Sequence, residues 1–141
     1  MKAIHINCDL GEGGNFDAQL MPFISACNIA CGGHAGDENS MRRTLRLAME
    51  NKLEIGAHPS YPDRENFGRK SLDISNTDLK KSIHSQVLSL MKIAENEGAK
   101  LTHLKPHGAL YNDAAKDENI AKIVVDSVLE IDDKLLLYAP Q

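Results

Sequence analysis

Residues 37–58, DENSMRRTLRLAMENKLEIGAH, decide the fold, because a helix pattern passes directly into a strand pattern within them. Asp37 is a favourable N-cap residue, and the helix predicted after it ends near Asn51. The apolar face of this helix consists of four residues at helical spacing: Met41, Leu45, Ala48 and Met49. Residues 53–57 then form a short apolar run that predicts a strand. A helix that leads directly into a strand is typical of a β/α unit in a parallel sheet.

The same succession extends in both directions along the chain. Thr77 is predicted to cap a long helix that Gly98 ends, and another helix is predicted from Asp117 to Glu130. A short turn or helix is predicted at residues 17–22. The other predicted strands lie at residues 2–8, 23–29, 100–105 and 135–138. Strands that alternate with helices in this way predict an α/β protein with one parallel β/α domain, residues 1–141.

Length and composition restrict the class of protein. The 141 residues suffice for one domain with a hydrophobic core but not for two comfortable ones. A formal net charge of -4 argues against nucleic acid as a partner, since phosphate binding needs a basic surface. No run approaches the ~18 apolar residues of a membrane span, and the N-terminus lacks the apolar core of a signal peptide. We therefore expect a cytoplasmic location and no membrane partner. The three cysteines are expected to be reduced and buried: Cys8, Cys27 and Cys31.

Polar and ionisable residues collect where the predicted strands end. They are Asp9 and Glu12 after the first strand, Asn28 and His34 after the second, His58, Asp63 and Arg64 after the third, and Lys105 and His107 after the fourth. Because the carboxyl ends of parallel strands meet at one edge of a sheet, we predict a single functional site there. Asp, Glu and His together can hold a divalent metal or can act as general acid and base, and the sequence leaves both open. A lysine at such a site can offset negative charge on a substrate or an oxyanion.

Several of these residues also have a purely structural interpretation. Asp9 can be a turn residue, Glu12 a solvated side chain in a glycine-rich loop, and Arg64 part of a charged surface loop. Residues 11–14 match neither of the glycine patterns that bind phosphate, GxGxxG and GxxxxGK[ST]. The remaining histidines are expected to be structural: His5 and His84 at or near the surface, and His103 as a core histidine in the fourth strand.

Five motifs occur in the order and spacing of a known family: NCDLGEG (7–13), ACNIACGGHAGD (26–37), MRRTL (41–45), IGAHPSYPDRENFGR (55–69) and HLKPHGALYN (103–112). On these motifs the chain resembles the LamB/YcsF family, described as the A subunit of 5-oxoprolinase, strongly to about Asn112 and more loosely afterwards. The resemblance implies a seven-stranded β/α barrel related to metal-dependent polysaccharide deacetylases. It also implies ATP-dependent hydrolysis of the 5-oxoproline (pyroglutamate) lactam to glutamate, together with partner subunits B and C.

The resemblance also implies roles for the residues at the strand ends. We expect catalytic roles for Asp9, Glu12, His58 and His107, and substrate binding by Asn28, His34, Arg64 and Lys105. If a divalent metal binds, its candidate ligands are Asp9, His34, His58 and His107. ATP is the expected co-substrate. Since the sequence contains no nucleotide-binding signature, we expect ATP to be bound by a partner protein or at an unconventional site.

Chain length is the main departure from the family pattern. A full barrel usually needs ~250 residues, whereas about five strands are predicted here. The chain is therefore expected to be the N-terminal part of a longer barrel, apparently truncated, with an open sheet edge through which it can self-associate. Two alternatives to the oxoprolinase function remain open from sequence. One is a metal-dependent carbohydrate deacetylase or amidohydrolase, and the other is an inactive truncated fragment that serves only in interactions.

Overall fold

The structure, a computed structural model, describes residues 4–140 and contains a five-stranded parallel sheet. The strands are ordered β1-β2-β3-β4-β5, as they occur along the chain. Their bounds are β1 Asn7–Leu10, β2 Ala26–Ala30, β3 Glu54–His58, β4 His103–Leu104 and β5 Leu136–Leu137. The predicted α/β class with a parallel sheet is confirmed. This sequential parallel order is the one that successive β/α units of a barrel produce.

Helices fill the connections between the strands. Their bounds are α1 Asp17–Leu20, α2 Glu38–Glu50, α3 Asn76–Asn96, α4 Gly108–Ala114 and α5 Glu118–Ile131, with a 3-10 turn at Met21–Phe23. The predicted cap of α2 is confirmed, because Asp37 and Ser40 each accept a backbone N–H from the other at 2.8 Å. Helices α2 and α3 pack on β2 and β3, and α5 packs on α3 and α4. The hydrophobic core lies between these helices and the sheet.

The first two strands lie further along the chain than the sequence predicts. The first is predicted at residues 2–8 but is Asn7–Leu10, and residues 2 and 3 lie outside the described residues. The second is predicted at residues 23–29 but begins at Ala26, because Pro22 and its neighbours form the 3-10 turn. As a consequence, Asp9 lies inside β1 and not in the loop after it. Asn28 lies in the middle of β2, within the predicted strand 23–29 and not after its end.

Three further predictions of secondary structure are wrong in detail. The cap of α3 is Ser75, whose hydroxyl accepts the Asp78 N–H at 3.1 Å, and not Thr77. The fourth strand has two residues instead of the six predicted. Helix α4 is not predicted because the Pro-His-Gly sequence that leads into it is typical of a turn, and Gly108 indeed has a φ of 56°. With seven residues, α4 is also too short to show helical periodicity.

The three cysteines are free thiols, as expected. Cys27 and Cys31 are buried, and burial raises the pKa of each thiol to about 12. Cys8 is only half-buried, so the expected burial is wrong for this cysteine, which lies on the outer strand β1. Because a thiol with a raised pKa is a poor nucleophile, Cys27 and Cys31 have structural roles in the core.

The two outer strands present edges and apolar side chains to solvent. Among the described residues β1 and β5 each pair with one neighbour, and Leu136 on β5 is 61% exposed. Near the β1 edge, Phe23 is 78% exposed. Self-association through the open edge stays a prediction. Within residues 4–140, the helices are too short or too polar to cross a membrane.

Candidate active site

A row of residues in register across the sheet forms the base of the site. Asp9 on β1 pairs with Asn28 on β2, which pairs with Gly56 on β3, which pairs with His103 on β4. Neighbouring residues in such a row direct their side chains to the same face of the sheet. The row therefore places one carboxylate, one amide and one imidazole on one face of the sheet, one or two residues before the carboxyl ends of the strands.

Asp9 is the centre of a dense set of hydrogen bonds. Its Oδ1 accepts from Asn28 Nδ2 at 2.8 Å and from Lys105 Nζ at 2.9 Å, and its Oδ2 lies 3.4 Å from His58 Nε2. Burial acts to raise the pKa of Asp9, but the interactions with His58, Lys105 and Asn28 outweigh it and hold the pKa well below its ordinary value. Asp9 is therefore an ionised carboxylate, and its side chain is still 34% exposed to solvent.

Glu12 faces three histidines on the other side of the site. Its Oε1 lies 2.8 Å from His34 Nε2, 3.4 Å from His107 Nδ1 and 3.8 Å from His58 Nε2. The rings of His34 and His107 stack with centroids 3.6 Å apart, and His58 stands edge-on to both. Burial acts to raise the pKa of Glu12, but the hydrogen bond from His34 and the nearby imidazoles outweigh it, so the pKa is lowered. Glu12 is thus the second ionised carboxylate of the site.

Backbone carbonyls fix which nitrogen of His58 and of His107 carries a proton. His58 Nδ1 lies 2.7 Å from the Lys105 carbonyl oxygen, and His107 Nε2 lies 2.9 Å from the Phe67 carbonyl oxygen. Because a carbonyl can only accept, both of these nitrogens donate. The remaining nitrogens, His58 Nε2 and His107 Nδ1, face each other at 3.0 Å. Two lone pairs cannot bond to each other, so this geometry requires a proton or a cation between the two rings.

The histidine cluster fits a divalent metal ion. One ligand atom from each of Glu12, His34, His58 and His107 lies within 4.8 Å of every other. Burial and the nearby His34 lower the pKa of His107 to about 4, so its imidazole is neutral and able to act as a ligand near pH 7. His34 Nδ1 is buried and has no hydrogen-bond partner among the described residues. Three imidazoles and a carboxylate are a donor set that suits zinc and similar borderline cations.

Comparison with known proteins identifies the family to which the chain belongs. The pattern of the LamB/YcsF family matches residues 4–141. The chain belongs to the LamB/YcsF family. It is 47% identical over 137 residues to the A subunit of 5-oxoprolinase from Haemophilus influenzae strain PittEE, covering 97% of this chain and 56% of that protein. It is 45% identical over 144 residues to the corresponding 5-oxoprolinase chain of Shouchella clausii, with 98% and 56% coverage. The chain therefore spans about half the length of the curated relatives it matches.

A solved structure of similar fold supports the same lineage. The lactam utilization protein from Thermus thermophilus superposes with a TM-score of 0.95 at 32% sequence identity, covering 99% of this chain and 58% of that one. The described fold therefore follows part of that protein closely. Five strands in sequential parallel order agree with the barrel that the family resemblance predicts.

The structure brings most of the predicted site residues of this LamB/YcsF chain together, although not always in the expected partnerships. Glu12 lies in the metal-type cluster, while Asp9, the carboxylate that the sequence suggests as a metal ligand, pairs with Lys105 beside it. Asn28 is fully buried, and its amide is engaged by protein groups. Arg64 is exposed, and its guanidinium donates to the Gly36 carbonyl oxygen.

Two contributors to the site are not recognisable from sequence alone. One is Phe67, whose backbone lies in the left-handed region with a φ of 54°. Its carbonyl oxygen accepts the hydrogen bond from His107 Nε2. The other is Gly56, where an added Cβ would lie 2.2 Å from two atoms of the His103 ring. A glycine inside a strand can signal such a close approach of another group. His103 itself is buried and hydrogen-bonded, as predicted for a core histidine.

Proposed function

We propose that this chain carries the site of the A subunit of a 5-oxoprolinase, which hydrolyses the lactam of 5-oxoproline to glutamate in the cytoplasm with ATP as co-substrate. The observation that carries the proposal is the geometry at the sheet edge. Two ionised carboxylates, Asp9 and Glu12, face the ammonium of Lys105 and three imidazoles within one small site. The names of relatives up to 47% identical, and of the T. thermophilus structure, support lactam hydrolysis.

The reaction divides into steps that these residues can serve. A five-membered lactam is a stable amide, and transfer of the terminal phosphoryl group of ATP to its oxygen releases ADP and makes the carbonyl carbon open to attack by water. Collapse of the water adduct then breaks the C–N bond, frees the amine of glutamate and releases inorganic phosphate. That attack needs a base to take a proton from water and cationic support for the developing negative charge. The partly exposed Asp9 carboxylate and His58 Nε2 lie 3.4 Å apart, so we assign this pair as the base, with the imidazole able to take the proton beside the ionised carboxylate. Lys105 supplies the cation.

The remaining roles follow from burial and contact. Glu12 and His107 complete the catalytic group on the histidine side of the site. Lys105 and Arg64 are the cations available for the substrate carboxylate. Because Asn28 and His34 are buried, we assign them an effect on the substrate through the carboxylates that they contact. ATP is bound by a partner protein, and the active assembly contains subunits B and C.

A divalent metal at Glu12, His34, His58 and His107 would lower the pKa of a bound water or polarise the lactam oxygen. Protein groups already hold two of these ligands in orientation. The Lys105 carbonyl fixes the ring of His58, and the Phe67 carbonyl fixes the ring of His107. Metal content after purification without chelator, measured by mass spectrometry, tests this part of the proposal independently of activity.

The test of the function is ATP-dependent release of glutamate from 5-oxoproline by this chain mixed with candidate B and C subunits. We expect turnover that requires all three proteins and falls at least about 100-fold in Asp9→Ala and in His58→Ala. His84→Ala is the matched control, because His84 lies on α3 beside Glu130, away from the site. Its turnover should equal that of the wild type.

The related H. influenzae protein provides the reference for a negative result. Turnover by that protein with the same B and C subunits, but none by this chain, would show that activity needs residues from the part of the relatives that this chain does not span. Turnover by this chain that survives both Asp9→Ala and His58→Ala would refute the assigned site.

A further inference from the structure

His103 reaches across an entire strand to touch the site. It lies on β4, whereas its Nε2 is 2.7 Å from Asn28 Oδ1 on β2. The residue between them in the row is Gly56 on β3, and any side chain there would occupy the space that the imidazole fills. On another side the ring stacks on Tyr138, with centroids 4.3 Å apart and planes 10° apart. The imidazole of His103 is therefore fixed in position by Asn28 on one side and by Tyr138 on another.

The hydrogen bonds along this row allow one consistent direction. Asp9 Oδ1 accepts from the Lys105 ammonium at 2.9 Å, so the Asn28 amide nitrogen, and not its oxygen, must face the same atom, as it does at 2.8 Å. The Asn28 amide oxygen then faces His103, and His103 Nε2 must carry the proton. His103 Nδ1 is left as an acceptor. The Thr102 hydroxyl lies 2.9 Å from it and 3.2 Å from the Ile55 carbonyl oxygen, so its one proton has two acceptors within reach. The second Asn28 N–H donates to Asn7 Oδ1 at 2.8 Å, so the Asn28 side chain is fully bonded.

From this row we infer that His103 is a positioning residue of the site: it fixes the orientation of the Asn28 amide, which in turn orients the Asp9 carboxylate. Without a donor at position 103, the Asn28 amide oxygen loses its partner, and the amide is held only by the bonds from its nitrogen to Asp9 and Asn7. Its plane is then free to tilt, which weakens the hydrogen bond that orients the Asp9 carboxylate. His103 touches neither Asp9 nor Lys105 in the contacts described, and it acts through Asn28 alone. Its kinetic consequence rests on the proposed function, whereas its structural consequence does not.

The structural consequence is tested by NMR on the wild-type chain, which at 141 residues is small enough for assignment. Nitrogen-15 spectra of the His103 ring distinguish the two neutral tautomers and the charged form. We expect the neutral form with the proton on Nε2 near pH 7, and slow exchange of the Asn28 side-chain N–H protons. A ring protonated on Nδ1 alone, or on both nitrogens, would overturn the inference whether or not the protein has oxoprolinase activity.

The kinetic consequence is tested with a pair of matched variants. His103→Gln places an amide N–H where Nε2 stands, whereas His103→Leu fills the space without a donor. With the B and C subunits present, we expect His103→Leu to lower kcat about 10-fold with little change in KM, and His103→Gln to restore most of it. Equal loss in both variants, or no loss in His103→Leu, would overturn the positioning role.

A milder variant guards against loss of folding in His103→Leu. Thr102→Val removes the hydroxyl that faces His103 Nδ1 and keeps the shape of the side chain. Because the Asn28 amide oxygen still faces His103 Nε2, we expect the proton to stay on Nε2 in the nitrogen-15 spectrum and kcat to change little. A proton shifted to Nδ1 in this variant would contradict the proposed direction of the hydrogen bonds.

Discussion

Acidification should destabilise this fold in part through the side chain of His103. The ring is fully buried, and burial lowers its pKa from the ordinary 6.5 to about 4. Between these two values the unfolded chain takes up a proton that the folded protein does not, so stability falls as the pH falls through this window. The effect of His103 on the free energy of unfolding is negligible near pH 7.5. Near pH 5 it lowers the free energy of unfolding by about 2 kcal/mol.

Urea unfolding followed by circular dichroism at the two pH values measures this loss. His107, whose pKa is also lowered to about 4, adds its own loss, so the informative quantity is a difference between two proteins. His103→Gln has no titrating ring, and it should lose about 2 kcal/mol less than the wild type over the same interval. His5→Gln, which removes an exposed imidazole paired with Glu54, should follow the wild type. Equal losses in the wild type and His103→Gln would refute the reasoning.

Three further substitutions test separate parts of the structure. Gly56→Ala should cost about 1–3 kcal/mol in urea unfolding, because its Cβ would meet the His103 ring at 2.2 Å; a cost near zero would show that the ring can move. Tyr61→Phe should cost about 1.5 kcal/mol, because the buried hydroxyl donates to Asp113 Oδ2 at 2.9 Å, and unchanged unfolding would contradict this. Glu12→Gln should weaken zinc binding at least about tenfold by calorimetry, since it removes the one carboxylate of the four-ligand cluster; equal affinity would exclude Glu12 as a ligand.

The sequence is most informative where local chemistry determines local structure. The Asp37 cap and the apolar spacing after it predict α2 correctly, because a cap and a helical face are properties of residues close in the chain. The parallel sheet follows from the alternation of elements. The ends of strands are harder to predict, because a strand ends where its pairing with a neighbouring strand ends. The bounds of β1 depend on its pairing with β2, which is distant in the sequence.

The sequence predicts which residues form the site, but it does not predict which of their side chains contact each other. Strand ends in a parallel sheet gather polar residues, so Asp9, Glu12, His58 and Lys105 can be named in advance. Whether Asp9 or Glu12 faces the histidines depends on loop paths and on register. The protonated nitrogens depend on carbonyls such as that of Phe67, which lies in a loop with a left-handed backbone that its sequence does not signal.

His58 connects two halves of the site that otherwise have separate supports. On one side its Nε2 lies 3.4 Å from Asp9 Oδ2, in the half that Lys105 and the row across the sheet stabilise. On the other side the same atom lies 3.0 Å from His107 Nδ1 and 3.8 Å from Glu12 Oε1. Its second nitrogen is occupied by the Lys105 carbonyl, so the ring cannot turn without losing that bond. A change at His58 therefore alters both halves together, whereas removing Lys105 or His107 leaves one half with its own contacts intact.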